Sequence, residues 1–277
     1  MTKELNGREL AGFIKERQAH LVKFLKGQKI QPRLFILRDN DSPVIKKYVE
    51  LKQRYGADIG VEVIDCLCQN TDELAQNIDL ANQNTDCSAI IVQLPLKNID
   101  STDEIVQTIA PAKDVDGLSG KGNFDSATAT AINWLLTGYD IDLAHSKIAL
   151  VGRGRLVGAP LEKMFKNSNY DVTVFHRGDD LAQLKTFDLI ITATGVPGLI
   201  KSEYIKPGAV VVDAGTASED GALKGDVAEE VRARKDLKAI TPKLGGVGPM
   251  TVATLFENVI FAAQNPKILR TFKVSRL

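Results

Sequence analysis

A glycine-rich turn between an apolar run and a helical pattern constrains this chain more than any other stretch. The apolar run Ile148–Val151 ends at glycines 152, 154 and 158, and Ala159 opens a helical pattern. Glycine permits the positive φ of a tight turn, and free N–H groups at a helix start attract phosphate. The spacing G-x-G-x-x-x-G is one residue wider than the dinucleotide fingerprint G-x-G-x-x-G. The stretch predicts a dinucleotide-binding turn, and a glycine-rich turn without a ligand is the alternative.

Composition places the chain among soluble globular proteins. It has 277 residues, 44% of them apolar and 25% charged, and this length suggests about two domains. Lys plus Arg equals Asp plus Glu at 35 each, so no global field favours nucleic acid or an anionic membrane as a partner. The sequence opens without an apolar signal core, and no run approaches the roughly 18 apolar residues of a spanning helix. We therefore expect a cytoplasmic protein.

The cysteines argue against a disulfide framework and a structural zinc site. Cys66, Cys68 and Cys87 are odd in number and form no repeated C-x-x-C. We expect reduced packing cysteines and no bound metal.

Helical and strand patterns alternate in both halves of the chain, which predicts an α/β fold with parallel sheets. In the first half, helices are predicted at 8–27, 44–56, 71–82 and 103–109, and strands at 34–37, 59–64 and 89–92. In the second half, strands are predicted at 171–175, 187–191 and 209–213, a hairpin turn at 219–221, and helices at 160–165 and 252–263.

Two polar features of the first half point to a ligand site. Tyr48 and Lys52 are four residues apart on a predicted helix and therefore share a face. A partly desolvated lysine loses some preference for charge and can exchange protons near neutral pH, although a solvated surface pair is the alternative. The strand at 89–92 ends at Gln93, Leu94 and Pro95, and open α/β sheets bind ligands at the carboxyl ends of their strands.

Two further loops carry candidate ligand contacts. Asp116 lies in the loop 111–118, which an ordinary turn would also explain. The glycine- and proline-rich loop 241–251 precedes an apolar helix, so it has a fixed shape and exposed amides at a helix start. From that loop we expect contacts from Gly245, Gly246, Pro249 and Thr251.

Cofactor preference is set where the second strand of the glycine-turn unit ends. A carboxylate there would bind the ribose hydroxyls of NAD, whereas cations favour the extra phosphate of NADP. The residues present are His176 and Arg177, with Arg153 in the glycine turn and no carboxylate before Asp179. The pattern therefore favours NADP. The other expected cofactor contacts are Gly152, Gly154, Val157, Gly158, Thr194, Gly195, Gly215 and Thr216.

Several stretches together resemble the methylenetetrahydrofolate dehydrogenase/cyclohydrolase family, the bifunctional FolD-type folate enzymes. They follow the family's order and cover the chain from about 40 to 260. The stretches are Y-V-E-L-K at 48–52, V-Q-L-P-L at 92–96, P-x-K-D-V-D-G at 111–117, G-R at 152–153 with V-G-x-P at 157–160, K-P-G-A at 206–209, G-D-V at 225–227 and G-G-V-G-P-M-T at 245–251.

The resemblance implies a domain organisation and an activity. It implies a folate-binding α/β domain of residues 1–125 completed by 252–277, a Rossmann domain at 126–251, a cleft between them for the folate, and a homodimer. The implied reaction is oxidation of 5,10-methylene-tetrahydrofolate to 5,10-methenyl-tetrahydrofolate with NADP, followed by hydrolysis to 10-formyl-tetrahydrofolate. This one-carbon chemistry serves purine biosynthesis.

The resemblance also implies roles for individual residues. On the family's pattern Lys52 is the general acid/base, Gln93 hydrogen-bonds and tunes it, Tyr48 lies against the folate, and Asp116 holds the pterin edge. The further implied substrate contacts are Leu94, Pro95, Gly245, Gly246 and Pro249.

The chain departs from the family's pattern at several positions. Gly154 stands where a serine is usual, and Arg177 replaces a serine after His176. Some NAD-using relatives also carry His-Arg and recruit inorganic phosphate, so NAD stays open as the cofactor. The usual Pro-Cys-Thr-Pro segment reads S-A-T-A at 126–129, the loop between Gly117 and it is shorter than usual, and K-L replaces V-P at 243–244.

These departures leave alternatives for the function. Because they touch the rim of the cleft, a dehydrogenase that has lost the cyclohydrolase activity stays open. A nucleotide-binding protein without catalysis is disfavoured, because Tyr48, Lys52, Gln93 and Asp116 are all present.

Overall fold

The computed structural model describes residues 2–215, 217–219 and 222–264. In chain order the elements are β1 (Lys3–Glu4), α1 (Gly7–Gly27), β2 (Arg33–Arg38), α2 (Pro43–Ile59), β3 (Glu62–Leu67), α3 (Thr71–Gln83), β4 (Ala89–Val92), α4 (Thr102–Gln107), α5 (Ala127–Gly138), β5 (Ile148–Val151), α6 (Gly158–Asn167), β6 (Val172–Phe175), β7 (Leu189–Thr192), β8 (Val210–Asp213), β9 (Ala217–Glu219), β10 (Ala222–Lys224), α7 (Glu229–Arg232), β11 (Ala239–Ile240) and α8 (Val247–Gln264). Within these residues, no helix is long and apolar enough to cross a membrane.

The chain divides into two compact units. The three-stranded unit comprises residues 13–127 and 252–264, and the six-stranded unit comprises residues 2–12 and 128–251. Both sheets, with the orders β3-β2-β4 and β1-β11-β8-β7-β5-β6, are parallel throughout. The α/β class with parallel sheets is confirmed.

Successive side chains of β2 point to opposite faces of the three-stranded sheet, and each face packs in its own hydrophobic core. Leu34 and Ile36 face a cluster that also holds Phe256 of α8. Leu37 faces the opposite cluster, where Leu74 of α3 is fully buried. Because both faces are covered by helices, β2 and β4 read as nearly continuous apolar runs, whereas β3, which is partly exposed, contains Glu62 and Asp65.

The predicted strand at 59–64 begins too early. Helix α2 continues to Ile59, and Gly60, with φ 85°, ends it in the left-handed region that glycine adopts without strain. Strand β3 therefore starts at Glu62. Gly56, where the helix was expected to end, lies inside α2, and a Cβ there would lie 2.5 Å from Val63 Cγ2. This glycine permits close packing of the helix on the sheet.

In the six-stranded unit, the carboxyl ends of adjacent strands lie side by side. Val151 of β5 is in register with Phe175 of β6 and Thr192 of β7, and Thr192 is in register with Asp213 of β8. The loops that follow these four strands therefore begin along one edge of the sheet. In parallel α/β sheets this edge is where ligands bind.

The outer end of the six-stranded sheet contains two strands that the sequence did not predict. β1 pairs in parallel with β11, and the Leu5 N–H donates to the Ile240 carbonyl at 2.8 Å. Each strand has two residues, too few to show a hydrophobic period. Through this pairing residues 2–12 pack with residues 128–251, and the folate-binding domain of 1–125 with 252–277 stays a prediction.

The second half of the chain contains an antiparallel strand pair and the long helix α8. Strands β9 and β10 pair antiparallel, as a hairpin turn at 219–221 predicts, and residues 220 and 221 of that turn lie outside the described residues. Helix α8 begins at Val247, five residues before the predicted start at 252, because Gly248 and Pro249 lie in its first turn, where proline needs no backbone donor.

Candidate functional site

Lys52 and Gln93 form a direct hydrogen bond in the three-stranded unit. Lys52 Nζ, on α2, donates to Gln93 Oε1 at 2.7 Å. Gln93 is the first residue after β4; its backbone N–H donates to the Leu37 carbonyl at 2.9 Å, and its Nε2 donates to the Leu94 carbonyl at 3.1 Å. Because the amide nitrogen is already committed, the amide oxygen faces the lysine.

Tyr48 lies one helical turn before Lys52 on α2. The Lys52 Nζ is 5.9 Å from the centroid of the Tyr48 ring, at the outer limit of a cation–π contact. Both side chains are half-buried. The helical spacing thus brings the phenol and the amine together, as the sequence predicts.

Asp116 completes this group electrostatically. Burial lowers the pKa of Lys52, and the charge of Asp116 opposes that shift. Burial raises the pKa of Asp116, with Lys52 opposing, Asp114 adding to the shift, and a backbone hydrogen bond from Ala127 opposing. Tyr48, Lys52, Gln93 and Asp116 therefore form one group, which we name the Lys52 group. Its amine is biased toward the neutral form that accepts a proton.

The loop that carries Asp116 is fixed by Asp114, whose role was not predicted from the sequence. Asp114 forms an isolated parallel bridge with Ile90 of β4, so the loop runs beside that strand. The Asp114 carboxylate accepts hydrogen bonds from Ser119 N at 2.9 Å, Ser119 Oγ at 2.6 Å and Leu118 N at 3.2 Å. The fully buried carboxylate organises the turn, and the D-V-D-G pattern is its sequence signal.

Two residues that follow β2 form hydrogen bonds with the loop after Gln93. Asn40 Nδ2 donates to the Pro95 carbonyl at 3.2 Å, and Asp39 Oδ1 accepts from the Lys97 N–H at 3.0 Å. The bond between Leu94 and Pro95 is cis. Asp39 is fully buried. Leu94 is half-buried and Pro95 is exposed on this loop.

The glycine turn of the six-stranded unit has the shape that a dinucleotide phosphate requires. Gly152 has φ 94°, and a Cβ on it would lie 2.7 Å from the Ala193 carbonyl oxygen. A Cβ on Gly158, the first residue of α6, would collide with the Gly152 carbonyl. No atom lies within 4 Å of where a Cβ on Gly154 would stand. Val157, just before α6, is half-buried. Strand, turn and helix start therefore fit the phosphate group of such a cofactor.

The predicted cations lie at the carboxyl edge of β5 and β6. Gly152 N donates to the Phe175 carbonyl at 2.9 Å, so the chain segments that carry Arg153 and His176–Arg177 start next to each other. His176 and Arg177 are exposed, and the His176 N–H donates to Asp179 Oδ2 at 2.7 Å.

Arg153 forms an ion pair with Glu162, which was not predicted from the sequence. Its Nε donates to Glu162 Oε2 at 2.6 Å. Glu162 projects from α6, nine residues along the chain, and so does not appear at the end of β6 in the sequence.

The loops after β7 and β8 are held by two buried acids. Asp226 Oδ2 accepts from Thr192 Oγ1 at 2.7 Å and from Thr194 N at 2.6 Å. A Cβ on Gly215 would collide with the Asp226 carboxylate. Asp213 accepts the Gly215 N–H at 3.1 Å and forms an ion pair with Arg232.

Gly195 and Thr216 were also expected to contact the cofactor at this edge of the sheet. Gly195 is exposed and has φ 69°. Thr216 lies outside the described residues. The G-D-V motif at 225–227 was noted in the sequence, but not the role of its aspartate in holding these loops.

The loop 241–251 is anchored within the six-stranded unit. Gly245 has φ 96°, and its carbonyl accepts the Arg8 N–H at 2.9 Å. Gly246 is buried against Thr241. Pro249 lies in the first turn of α8, where Thr251 Oγ1 donates to the Val247 carbonyl at 3.2 Å. The Lys52 group thus belongs to one unit, and Gly245, Gly246, Pro249 and Thr251 belong to the other.

Known proteins are similar to this chain in sequence and in fold over nearly its whole length. Residues 5–116 match the tetrahydrofolate dehydrogenase/cyclohydrolase catalytic domain, and residues 126–267 match the NAD(P)-binding domain of the same family. The bifunctional protein FolD of Macrococcus caseolyticus is 35% identical, over 95% of this chain and 98% of that protein.

Two solved structures extend the comparison to three dimensions. The bifunctional FolD dehydrogenase/cyclohydrolase of Campylobacter jejuni has a TM-score of 0.90 and 33% identity, covering 96% of this chain and 99% of that one. The Trypanosoma brucei FolD, solved in complex with NADP cofactor and an inhibitor, has a TM-score of 0.87 and 29% identity, covering 95% and 97%. The chain belongs to the tetrahydrofolate dehydrogenase/cyclohydrolase family.

Proposed function

We propose that the Lys52 group performs the proton transfers of a bifunctional folate enzyme, which oxidises 5,10-methylene-tetrahydrofolate with NADP and hydrolyses the product to 10-formyl-tetrahydrofolate. Both activities are those of the family. The observation that carries the assignment of Lys52 is its 2.7 Å hydrogen bond to Gln93 in a partly desolvated setting. A lysine so placed accepts and returns protons at a pH where an exposed lysine stays charged.

The hydrolysis requires a base and then an acid. Water adds to the cationic methenyl carbon, and neutral Lys52 takes the proton that the water loses. The bond from that carbon to N5 of the folate then breaks, N5 gains a proton as the carbinol oxygen loses one, and the formyl group remains on N10. One proton is released overall, and Lys52 passes it to solvent. Throughout the reaction Gln93 holds the Lys52 amine in position, because its side-chain Oε1 accepts the hydrogen bond from Nζ.

A neutral Lys52 also suits the oxidation. Hydride loss from the methylene bridge leaves a cation, and a charged ammonium beside it would oppose its formation by Coulomb repulsion. The lowered pKa of Lys52 reduces that repulsion.

Asp116 is proposed to bind the pterin edge. That edge presents an amino group and ring N–H groups, and the two oxygens of a carboxylate can accept hydrogen bonds from them. Burial raises the pKa of Asp116, so donors from the pterin would supply the stabilisation that the buried carboxylate lacks. Tyr48, half-buried beside Lys52, is proposed to lie against the folate ring, with Leu94 and Pro95 beside it.

NADP is the proposed cofactor, and when bound it supplies the acceptor for the hydride. Gly152, Gly154 and Gly158 would accommodate its pyrophosphate at the start of α6, and Arg153 and Arg177 would face its 2′-phosphate. The NADP complex of the Trypanosoma brucei relative supports this choice. NAD stays the alternative, because Gly154 offers no hydroxyl to the phosphate and Arg153 is paired with Glu162.

An absorbance assay with methylene-tetrahydrofolate tests the assignment. We expect turnover with NADP, release of 10-formyl-tetrahydrofolate, and no build-up of the methenyl intermediate. Accumulating methenyl-tetrahydrofolate would favour the alternative, a dehydrogenase without cyclohydrolase. Repeating the assay with NAD, with and without inorganic phosphate, separates the two cofactors: higher turnover with NAD than with NADP would contradict the NADP assignment.

We also propose a homodimer that works in the cytoplasm and supplies one-carbon units for purine biosynthesis. In the three-stranded unit β3 is an edge strand, and Leu67 and Leu80 nearby are 46% and 65% exposed. Leu80 also lines a cavity of about 170 Å³. An exposed apolar face beside an open strand edge is a surface that a second copy can cover. Sedimentation of Leu80→Asp should show monomers, and a dimer of unchanged stability would contradict this placement.

A further inference from the structure

Glu162 is a nearly buried carboxylate held between two cations. The residue is 8% exposed. Its Oε2 accepts from Arg153 Nε at 2.6 Å, and its Oε1 accepts from Lys166 Nζ, one turn further along α6, at 2.6 Å. Hydrogen bonds from Lys166 and then Arg153 hold the pKa of this carboxyl below its usual range, so it is ionised at neutral pH.

The position of this acid relates it to the cofactor edge. Arg153 follows Gly152 in the glycine turn, and Gly152 lies beside Phe175, the last residue before His176 and Arg177. Arg153 is therefore one of the two arginines at the carboxyl ends of β5 and β6, where a 2′-phosphate would bind. The Arg153 side chain is 53% exposed, and the hydrogen bond that it makes is directed to Glu162.

A carboxylate so close to the guanidinium changes what Arg153 offers an anion. Arg153, Glu162 and Lys166 together carry a net charge of +1, against +2 for the two cations without Glu162, and a phosphate that approaches Arg153 also approaches the ionised Glu162 and is repelled by it. Both dinucleotides carry the pyrophosphate, but NAD has no phosphate on the 2′-hydroxyl and lacks this additional repulsion. The effect therefore weakens the binding of NADP more than that of NAD.

We propose that Glu162 is a specificity-determining residue, which neutralises Arg153 and so weakens the discrimination of this enzyme between NADP and NAD. The inference rests on the proposed function, because it assumes that the dinucleotide binds at the glycine turn. Glu162 acts through Arg153 and is a positioning and charge-balancing residue rather than a catalytic one.

The test compares Glu162→Gln with the wild-type enzyme. Glutamine keeps the size and an oxygen that can accept from Arg153, but removes the charge. We expect the ratio of kcat/KM for NADP to that for NAD to rise about fivefold, in the range of a partly exposed ion pair. The dissociation constant for 2′,5′-ADP, measured by calorimetry, should fall by about the same factor, and that for 5′-AMP, which lacks the 2′-phosphate, should fall less. Both gains should shrink at high salt.

Control variants separate local charge from other effects. Glu203→Gln removes the same charge from an exposed position of the same unit and should leave the ratio unchanged. Lys166→Met removes the other cation from Glu162 and should lower the ratio, which provides a second test if the glutamine variant fails to fold. The cyclohydrolase rate, which needs no dinucleotide, reports that each variant is folded.

Two results would overturn the proposal. An unchanged or lower ratio in a folded Glu162→Gln, with unchanged affinity for 2′,5′-ADP, would show that Glu162 only orients Arg153 toward the phosphate. A wild-type enzyme that hydrolyses methenyl-tetrahydrofolate but turns over neither dinucleotide would contradict the proposed function as well. In the first case wild-type turnover with NADP persists, so the two failures are distinguishable.

Discussion

Gln93 presents its amide oxygen to Lys52 because its amide nitrogen already donates to the Leu94 carbonyl. A neutral oxygen orients the amine without adding a charge beside it. The electrostatic state of Lys52 therefore depends on its burial and on Asp116. Two substitutions should move that state in opposite directions.

Gln93→Glu places a carboxylate at hydrogen-bond distance from Lys52. The negative charge stabilises the ammonium form, so the pKa of Lys52 rises and less neutral lysine is present at neutral pH. The pH at which the cyclohydrolase rate rises should therefore shift upward by at least about one unit, since charge-assisted hydrogen bonds contribute about 1.5–3 kcal/mol. A pH–rate profile measures the shift. An unshifted profile with a uniformly lower rate would indicate a structural role for Gln93.

Asp116→Asn removes the charge that opposes the lowering of the Lys52 pKa. The pKa of Lys52 should fall further, and the pH at which the cyclohydrolase rate rises should move downward. The KM for the folate should rise, because an amide matches the donors of the pterin edge less well than a carboxylate. An upward shift, or an unchanged KM, would contradict the placement of Asp116.

The glycines of the turn differ in their tolerance of a methyl group. In Gly158→Ala the Cβ would collide with the Gly152 carbonyl, whereas in Gly154→Ala it meets no atom within 4 Å. Overpacking costs about 1–3 kcal/mol, so Gly158→Ala should weaken NADP binding about tenfold or more. Gly12→Ala adds the same group at an exposed position of α1, where a Cβ meets no atom within 4 Å, and is the matched control. Binding is measured by fluorescence titration, and equal losses in Gly158→Ala and Gly12→Ala would contradict the geometry of the turn.

Asp226 gives a way to separate the two activities. Its Oδ2 accepts from both Thr192 Oγ1 and the Thr194 N–H, and an amide oxygen at that position can keep both contacts but lacks the charge that strengthens them. Asp226→Asn should raise the KM for NADP severalfold, because the loop after β7 loses a charge-assisted hydrogen bond. The cyclohydrolase rate, whose proton transfers we assign to the Lys52 group in the other unit, should persist. Parallel loss of both activities would mean that Asp226 only supports the fold.

The sequence predicted the features that depend on local pattern. Tyr48 and Lys52 share a helix face by spacing, Gln93 follows a buried strand, and the glycines of the turn mark the helix start. These signals lie within a few residues of one another. Helix and strand periods therefore placed most elements within a few residues of their bounds.

The features that sequence reasoning missed depend on contacts between distant parts of the chain. Asp226 meets Thr192 across 34 residues, and Glu162 reaches back to Arg153 from the following helix. Strands β1 and β11 have two residues each, which is too short for a period, and their pairing moves the first residues into the six-stranded unit. No local pattern encodes such pairings.

The cyclohydrolase activity of Lys52→Met tests the central claim most directly. Methionine keeps the length and apolar stem of lysine but cannot take a proton, and Lys47→Met on the exposed side of the same helix is the control. We predict that Lys52→Met loses hydrolysis of methenyl-tetrahydrofolate by at least about a hundredfold, the low end for general acid–base catalysis, while its affinity for NADP is unchanged. Hydrolysis at the wild-type rate in Lys52→Met would contradict the account.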